Sequence, residues 1–202
     1  MPTWLHRLNR HFLGRIGTTV VVVSATMVIY WALNDHLRPR FDLSTPIDGV
    51  IPFLPWTIVI YFSFYLLLLV AAWACEAEEF LRLFVALLAA NLCCYFGFVL
   101  FTAHYPRPAL SEITPLWRPV YANMYGSDAP GNTFPSIHVA STMIVGLRLR
   151  RRHLAWMFWA VAIAVSTLTV KQHFLVDVVG GVGVAAAATW FAFRSTRGTH
   201  GS

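Results

Sequence analysis

Two short polar clusters interrupt an otherwise apolar chain, and each carries a histidine. The first is Pro135-Ser136-Ile137-His138, and the second runs from Lys171 through His173 to Asp177. Ionisable groups are costly to place at the ends of membrane helices, and where they occur there they usually serve function. A histidine beside a carboxylate suits nucleophilic or acid–base chemistry, and a nearby lysine adds positive charge for an anionic substrate.

The spacing of His173 and Asp177 favours a working pair. On a helix, residues four apart lie on one face and come into contact. Asp177 can then accept a hydrogen bond from one ring nitrogen of His173, which leaves the other nitrogen as a nucleophile or base. We expect His173 at the N-terminal end of a helix, where free amides favour an anion. A structural pair that locks two helices is the alternative.

The first cluster predicts the start of another helix. Pro135 disfavours helix before it, so the helix is expected to begin at about Ser136. Its free amides and Ser136 would form a second site for an anion, with His138 in the first turn. The alternative is an ordinary capped helix start, with His138 facing the lipid headgroups.

Three further residues are candidates for phosphate binding on the same side. The guanidinium of Arg107 suits bidentate binding of phosphate, and Lys171 can add a point charge. Ser166 lies seven residues before His173 and can reach the same pocket. For Ser166 the alternative is a hydroxyl bonded to the backbone, and for Arg107 it is a side chain that extends to the membrane surface.

The elements that must position these residues are apolar helices. The 202-residue chain is 57% hydrophobic and only 12% charged, about half the charged fraction of a soluble domain. The sequence predicts an all-α, six-span transmembrane helical bundle that forms a single integral membrane domain over residues 1–202. The six apolar stretches are Gly17–Leu33, Leu54–Ala74, Leu83–Ala103, Ser136–Leu147, Leu154–Val170 and Val178–Phe193.

The distribution of cationic residues predicts the orientation of the bundle. With six spans and both termini cytoplasmic, ten of the fifteen Lys and Arg residues lie on the inner side, as the positive-inside rule requires. The inner arginines can also contact anionic lipid headgroups. In this orientation Arg107 and both polar clusters lie on the outer face. The basic isoelectric point follows from this topology, so no nucleic-acid partner is expected.

Two long outer segments, 34–55 and 104–135, are rich in proline and are expected to be irregular loops. Loops of this length in a small bundle are usually lids or binding segments. Within the second segment, Asp128 and Asn132 are interpreted as turn-forming residues, with a contact to substrate as the alternative.

The clusters together resemble the type 2 phosphatidic acid phosphatase superfamily. Its motifs read roughly KxxxxxxRP, PSGH and SRxxxxxHxxxD, and the chain offers Arg107-Pro108, Pro135-Ser136-Ile137-His138 and Ser166-Thr167-x5-His173-x3-Asp177. The spacing of the last motif is the same. Leu100 stands in place of the first Lys, Ile137 in place of Gly and Thr167 in place of Arg. The resemblance covers about residues 100–180, the expected catalytic core.

The resemblance implies a role for each residue. His173 would attack phosphorus and form a phosphohistidine, Asp177 would orient it, and His138 would protonate the leaving lipid oxygen and then activate water or an alcohol. The phosphoryl oxygens would be held by Arg107, Lys171, Ser136 and Ser166. Chemistry of this kind implies no metal and no other cofactor, because cations and helix ends supply the electrostatics.

The Lys-Gln-His form of the last motif resembles the branch that includes fungal inositol phosphorylceramide synthases, which are phosphotransferases. We therefore expect a lipid phosphate phosphatase or phosphotransferase, with its site on the periplasmic side of a bacterial inner membrane. Its partners would be a phosphorylated membrane lipid and, in a transfer reaction, an alcohol-bearing acceptor lipid. Two alternatives are a non-enzymatic haem protein with His138 and His173 as axial ligands, and a catalytically inactive membrane protein.

Overall fold

The computed structural model describes residues 9–194, and these residues contain eight α-helices and no β-strand. The helices are α1 Phe12–His36, α2 Pro46–Val50, α3 Ile58–Ala74, α4 Ala77–Leu100, α5 Arg118–Ser127, α6 Ile137–Leu149, α7 Ala155–Thr169 and α8 Leu175–Phe193. Short 3₁₀ turns occur at Pro55–Thr57 and Leu110–Glu112. The predicted all-α class is confirmed.

Six of these helices, α1, α3, α4, α6, α7 and α8, correspond to the six predicted apolar stretches. Four segments are long and apolar enough to cross a membrane, namely Phe12–His36, Pro55–Ala74, Ala77–Leu100 and Leu175–Phe193. The helices α6 and α7 are apolar but have only 13 and 15 residues. At 1.5 Å per residue they are about 20 and 22 Å long, short of a hydrocarbon core of about 30 Å. The six complete spans and the orientation stay predictions.

Helix α6 is the centre of the bundle and packs against α3, α4, α7 and α8. Its side chains Val139, Ala140, Ile144 and Val145 are fully buried. Because α6 carries the first polar cluster at its N-terminus, the packing of the core fixes the position of that cluster.

Close packing of α8 against the start of α6 brings the two polar clusters together. A Cβ atom at Gly181 would lie 2.7 Å from the carbonyl oxygen of Ser136 and 2.9 Å from Cβ of Val139, so this approach requires glycine. One turn earlier on α8, the carbonyl oxygen of Asp177 accepts a hydrogen bond from the amide of Ser136 at 3.1 Å. The main chains of the two clusters are therefore directly bonded.

Helix α1 is attached differently from the core helices. Asn34 is its single buried residue, and polar contacts hold both of its ends. Near the N-terminal end, Nε of Arg15 donates to the carbonyl of Ala72 at 2.6 Å, and near the C-terminal end the hydroxyl of Tyr30 donates to Asp128 at 2.9 Å. Between these ends, the hydroxyl of Tyr95 on α4 donates to the carbonyl of Thr26 at 2.7 Å, so α1 is bonded to the other helices at three points along its length.

Candidate active site

The predicted contact between His173 and Asp177 is present. Nδ1 of His173 lies 3.3 Å from Oδ2 of Asp177, and both residues are buried. The expectation that His173 lies on the helix is wrong, because α8 begins at Leu175. His173 instead occupies the turn before α8, where its amide donates to the carbonyl of Thr167 at 3.3 Å. His173 in the connecting loop thus contacts Asp177 in the first turn of α8.

Asp177 also caps its own helix. Its Oδ2 accepts a hydrogen bond from the amide of Phe174 at 2.8 Å, and its side chain has no exposed surface. A hydrogen bond from a backbone amide and a position at the N-terminal end of a helix both stabilise a carboxylate. Asp177 held in this way fixes the orientation of the His173 ring and leaves Nε2 of His173 for a reaction.

The ring of His138 is held between aromatic side chains in the first turn of α6. It stacks on Tyr61 with a centroid distance of 4.3 Å and an angle of 20°, and its centroid lies 4.6 Å from that of Phe64. Nε2 of His138 is buried and has no hydrogen-bond partner among residues 9–194. The alternative in which His138 faces the headgroups is therefore wrong, and the ring presents an unoccupied nitrogen inside the protein.

Arg107 is fixed by the loop that follows α5 and by the turn before α8. Its Nη1 donates to the carbonyl of Asp128, and its Nη2 donates to Oδ2 of Asp128 at 3.0 Å and to Oε1 of Gln172 at 2.7 Å. The guanidinium carbon also lies 4.9 Å from the ring centroid of Tyr125. Because Gln172 directly precedes His173, these bonds place the guanidinium beside the pair of His173 and Asp177.

Asp128 connects this site to α1. The sequence did not predict this connection. Its Oδ1 accepts hydrogen bonds from the hydroxyl of Tyr30 and from Nδ2 of Asn34, both at 2.9 Å. Burial raises the pKa of Asp128, while the charge of Arg107 and the hydrogen bond from Tyr30 act against that shift. Asp128 is therefore more than a turn-forming residue. One signal was available, since Asp128 and Glu112 are the two acidic residues of segment 104–135.

One cavity joins these residues and has a volume of about 280 Å³. Its polar end is formed by Arg107, Asp128, Asn132, His138, Gln172 and His173. The rest is lined mainly by apolar side chains of α1, α3 and α4, down to Phe80 at the other end of α4. From Phe98 to Phe80 the helix rises about 27 Å, so the cavity is long and narrow.

Three polar residues along the apolar part of this cavity donate hydrogen bonds within their own helices. The hydroxyl of Thr19 donates to the carbonyl of Arg15, and that of Thr26 donates to Val22, both at 2.9 Å. Nδ2 of Asn91 donates to the carbonyl of Leu87 at 2.8 Å. With these donors satisfied internally, the wall suits hydrocarbon better than water.

Three predicted phosphate-binding residues do not line the cavity. Oγ of Ser136 accepts the amide of Val139 at 3.3 Å, as in the ordinary helix cap. Oγ of Ser166 donates to the carbonyl of Ile163 at 2.7 Å, which is the backbone-bonded alternative. In both cases the serine side chain is short and buried, and its hydroxyl bonds to a backbone group of its own helix. Arg107 is the predicted phosphate ligand that the structure places with the histidines.

Lys171 is the third of these residues, and its ammonium is bound elsewhere. Nζ donates to the carbonyls of Asp48 and Ile51 at 3.0 and 2.6 Å, which fastens the turn before α8 to the short helix α2. Burial lowers the pKa of Lys171, and the Asp48 carboxylate opposes that shift. The expected role as a phosphate ligand is corrected to a role in positioning the loop.

Replacing Lys171 with methionine tests that correction. Loss of two hydrogen bonds from a charged donor costs about 2 kcal/mol, so we expect the melting temperature to fall by several degrees. The KM for a lipid phosphate should change less than about twofold, because no phosphate contact is lost. Thermal denaturation and initial rates on the same preparation measure both. A tenfold rise in KM at an unchanged melting temperature would restore Lys171 to the phosphate site.

Comparison with known proteins agrees with this arrangement. The model of the PAP2 superfamily matches residues 54–191, more than half of the chain. The chain therefore belongs to the PAP2 superfamily, whose members are phosphatases and phosphotransferases, and it is a phosphatase-like integral membrane protein. It has no significant match among curated proteins or solved structures. The matched segment contains Arg107, His138, His173 and Asp177, whereas α1 and α2 precede it.

Proposed function

We propose that this protein removes or transfers the phosphoryl group of a membrane lipid through a phosphohistidine intermediate on the outer face of the membrane. One observation carries the proposal, namely that His173 is held by Asp177 at the polar end of a cavity that also contains His138 and Arg107. An oriented histidine nucleophile, a second histidine and a guanidinium are the groups that metal-free phosphoryl transfer requires.

In the first step, the lone pair on Nε2 of His173 attacks phosphorus while the bond from phosphorus to the lipid oxygen breaks. His138, entering in its protonated form, donates its proton to that oxygen, so the lipid leaves as an alcohol. Asp177 accepts the hydrogen bond from Nδ1 of His173 and stabilises the positive charge that the ring develops. The product of this step is a phosphohistidine.

In the second step, water or an alcohol attacks phosphorus and gives its proton to His138. The bond between phosphorus and Nε2 of His173 breaks, which releases inorganic phosphate or a new phosphoester and restores both histidines. Arg107 compensates the charge on the phosphoryl oxygens in both steps. Asp128 and Gln172 occupy its terminal nitrogens in the structure, so the phosphoryl group competes with them for the guanidinium.

The apolar part of the cavity favours a lipid as the substrate. It continues directly from the residues that would hold the phosphoryl group, and Thr26 and Asn91 in its wall donate to carbonyls of their own helices. A hydrocarbon chain buried there would contribute about 0.8 kcal/mol for each methylene group. A small soluble phosphoester would leave this surface unused.

A panel of lipid phosphates tests the proposal. The purified protein, in detergent without added metal, is incubated with phosphatidic acid, phosphatidylglycerophosphate, polyprenyl phosphate and a phospholipid with an acceptor lipid. We expect release of phosphate or transfer of a headgroup with at least one of them, together with an acid-labile phosphoprotein. Turnover without a phosphoprotein would contradict the mechanism, and no turnover would favour the inactive alternative. A Soret band would favour the haem alternative, for which the family match gives no support.

Replacing Leu87 with tryptophan tests whether the substrate chain enters the cavity. Leu87 lines its middle section, so the larger side chain should block the deeper part. We expect the KM for a sixteen-carbon alkyl phosphate to rise at least about tenfold, because two or more buried methylene groups are lost at about 0.8 kcal/mol each, while the rate with butyl phosphate stays unchanged. Initial rates over a series of chain lengths measure this effect.

Leu92 provides the matched control for that experiment. It lies on the same helix, but its side chain is 67% exposed on the outside of the bundle. The Leu92→Trp variant should keep the chain-length dependence of the unmodified protein. If both variants, or neither, changed the KM for the long chain, the chain would not lie in the cavity.

A further inference from the structure

A second cavity lies at the opposite end of the bundle from the histidines and has a volume of about 670 Å³. It is formed by the first turns of α4 and by the C-terminal ends of α6 and α8. Five of its lining residues are arginines, Arg82, Arg148, Arg150, Arg151 and Arg194, and three are glutamates, Glu76, Glu78 and Glu79. The catalytic residues and their cavity do not include any of them.

The arginines of this second cavity are only partly neutralised. Glu79 bonds to Arg148 at 2.6 Å, and Glu78 bonds to Arg82 at 2.6 Å. Within residues 9–194, the side chains of Arg150 and Arg151 make no hydrogen bond or ion pair, and both are exposed. The cavity therefore keeps positive charge that its own glutamates do not balance.

Part of the wall of this cavity is apolar. Leu147, Ala186 and Trp190 lie beside the charged groups, and the Trp190 side chain is 64% exposed. The guanidinium of Arg194 lies 4.9 Å from the ring centroid of Trp190. Tryptophan next to arginine at a helix end is typical of the boundary between hydrocarbon and headgroups. The cavity thus offers a cationic surface for the phosphate of a phospholipid and an apolar surface for its first methylene groups.

Two buried donors of the same wall lack acceptors. Nε of Arg148 and Oγ1 of Thr189 have no hydrogen-bond partner among residues 9–194, and both residues line the cavity. A buried donor without an acceptor costs about 1–3 kcal/mol. Both atoms are buried behind the surface of the cavity, so they add partial positive charge to its wall without contacting a ligand directly.

We propose that this cavity binds the headgroup of an anionic phospholipid from the membrane leaflet opposite the catalytic site. The phosphodiester would lie against Arg150, Arg151 and Arg194, and the first methylene groups would lie along Trp190 and Leu147. Basic pockets between helix ends bind anionic headgroups in this way, with about 1 kcal/mol contributed by each cation near the surface. The site is separate from the proposed phosphoryl transfer and does not depend on it.

Retention of phosphatidylglycerol during native mass spectrometry tests the proposal, with phosphatidylcholine as the neutral comparison. The full chain should retain phosphatidylglycerol preferentially. In the double variant Arg150→Gln/Arg151→Gln, its dissociation constant should rise on the order of tenfold. The double variant Arg38→Gln/Arg40→Gln is the matched control, because it removes two exposed arginines near the outer end of α1 and should retain the lipid as before.

Three outcomes would overturn the proposal. Equal retention of the two lipids would show that charge does not select the ligand. Equal losses in the two double variants would show general attraction to a basic protein. Displacement of phosphatidylglycerol by millimolar inorganic phosphate would show a site for a soluble anion. Phosphate release from a lipid phosphate, measured alongside, should be unchanged in the Arg150→Gln/Arg151→Gln variant, and its loss would place this cavity in the catalytic machinery.

Discussion

Replacing His173 with alanine is expected to reduce phosphate release from a lipid phosphate by about 10³-fold or more, because the variant lacks the nucleophile. Phosphate incorporation into the protein should disappear at the same time. Melting temperature should fall by several degrees, because the buried carboxylate of Asp177 loses its bond to the histidine ring. The measurement is single-turnover release of labelled phosphate, combined with trapping of the phosphoprotein.

His104→Ala is the matched control for His173. His104 follows the C-terminal end of α4 and is exposed, and it does not line the cavity. This variant should keep full activity and full phosphoprotein formation. A His173→Ala protein that retained turnover would contradict the mechanism, whatever lipid it used. A His173→Ala protein that lost turnover but still accumulated phosphoprotein would place the nucleophile at another residue.

Replacing His138 with alanine is expected to reduce turnover of an alkyl phosphate by about 10²–10⁴-fold, the range that a general acid or base contributes. The two steps should respond differently to the leaving group. A phenolic leaving group with a low pKa departs without a proton, so p-nitrophenyl phosphate should still phosphorylate the variant. The second step then lacks its base, and phosphohistidine should accumulate after a burst of p-nitrophenol.

Ser141→Ala is the matched control for His138. Ser141 lies one turn later on α6 and also lines the cavity, so its replacement changes the same wall without removing a ring nitrogen. This variant should show neither the loss with alkyl phosphates nor the accumulated intermediate. If His138→Ala lost equal activity with both leaving groups, His138 would serve packing against Tyr61 and Phe64 rather than proton transfer.

Helix α1 has a part in this site that its position in the chain does not suggest. It precedes the segment matched by the superfamily, yet Tyr30 and Asn34 hold the carboxylate that orients Arg107. The same helix forms one side of the apolar cavity. Helix α1 therefore contributes to the position of the guanidinium and to the shape of the cavity.

The sequence by itself predicted the features that depend on local chemistry. Spacing of four residues put His173 in contact with Asp177, and Pro135 predicted that a helix begins at about Ser136. The apolar stretches predicted the helices, because a membrane requires about 20 apolar residues for each span. In each case the deciding interactions lie within a few residues along the chain. The predicted place of His173 on the helix was wrong, because α8 begins at Leu175, two residues after the histidine.

Only the tertiary structure decided which partners the long polar side chains find. Lys171 bonds to carbonyls that precede it by 120 and 123 residues, and Asp128 bonds to Asn34 across 94 residues. No local pattern encodes such pairs, because a flexible charged side chain takes the nearest acceptor that the packed bundle offers. The cavity likewise depends on the tertiary structure, because its walls come from α1, α3 and α4, which only the packed bundle brings together. The sequence thus determined the chemistry that is available, and the fold determined which residues share the site.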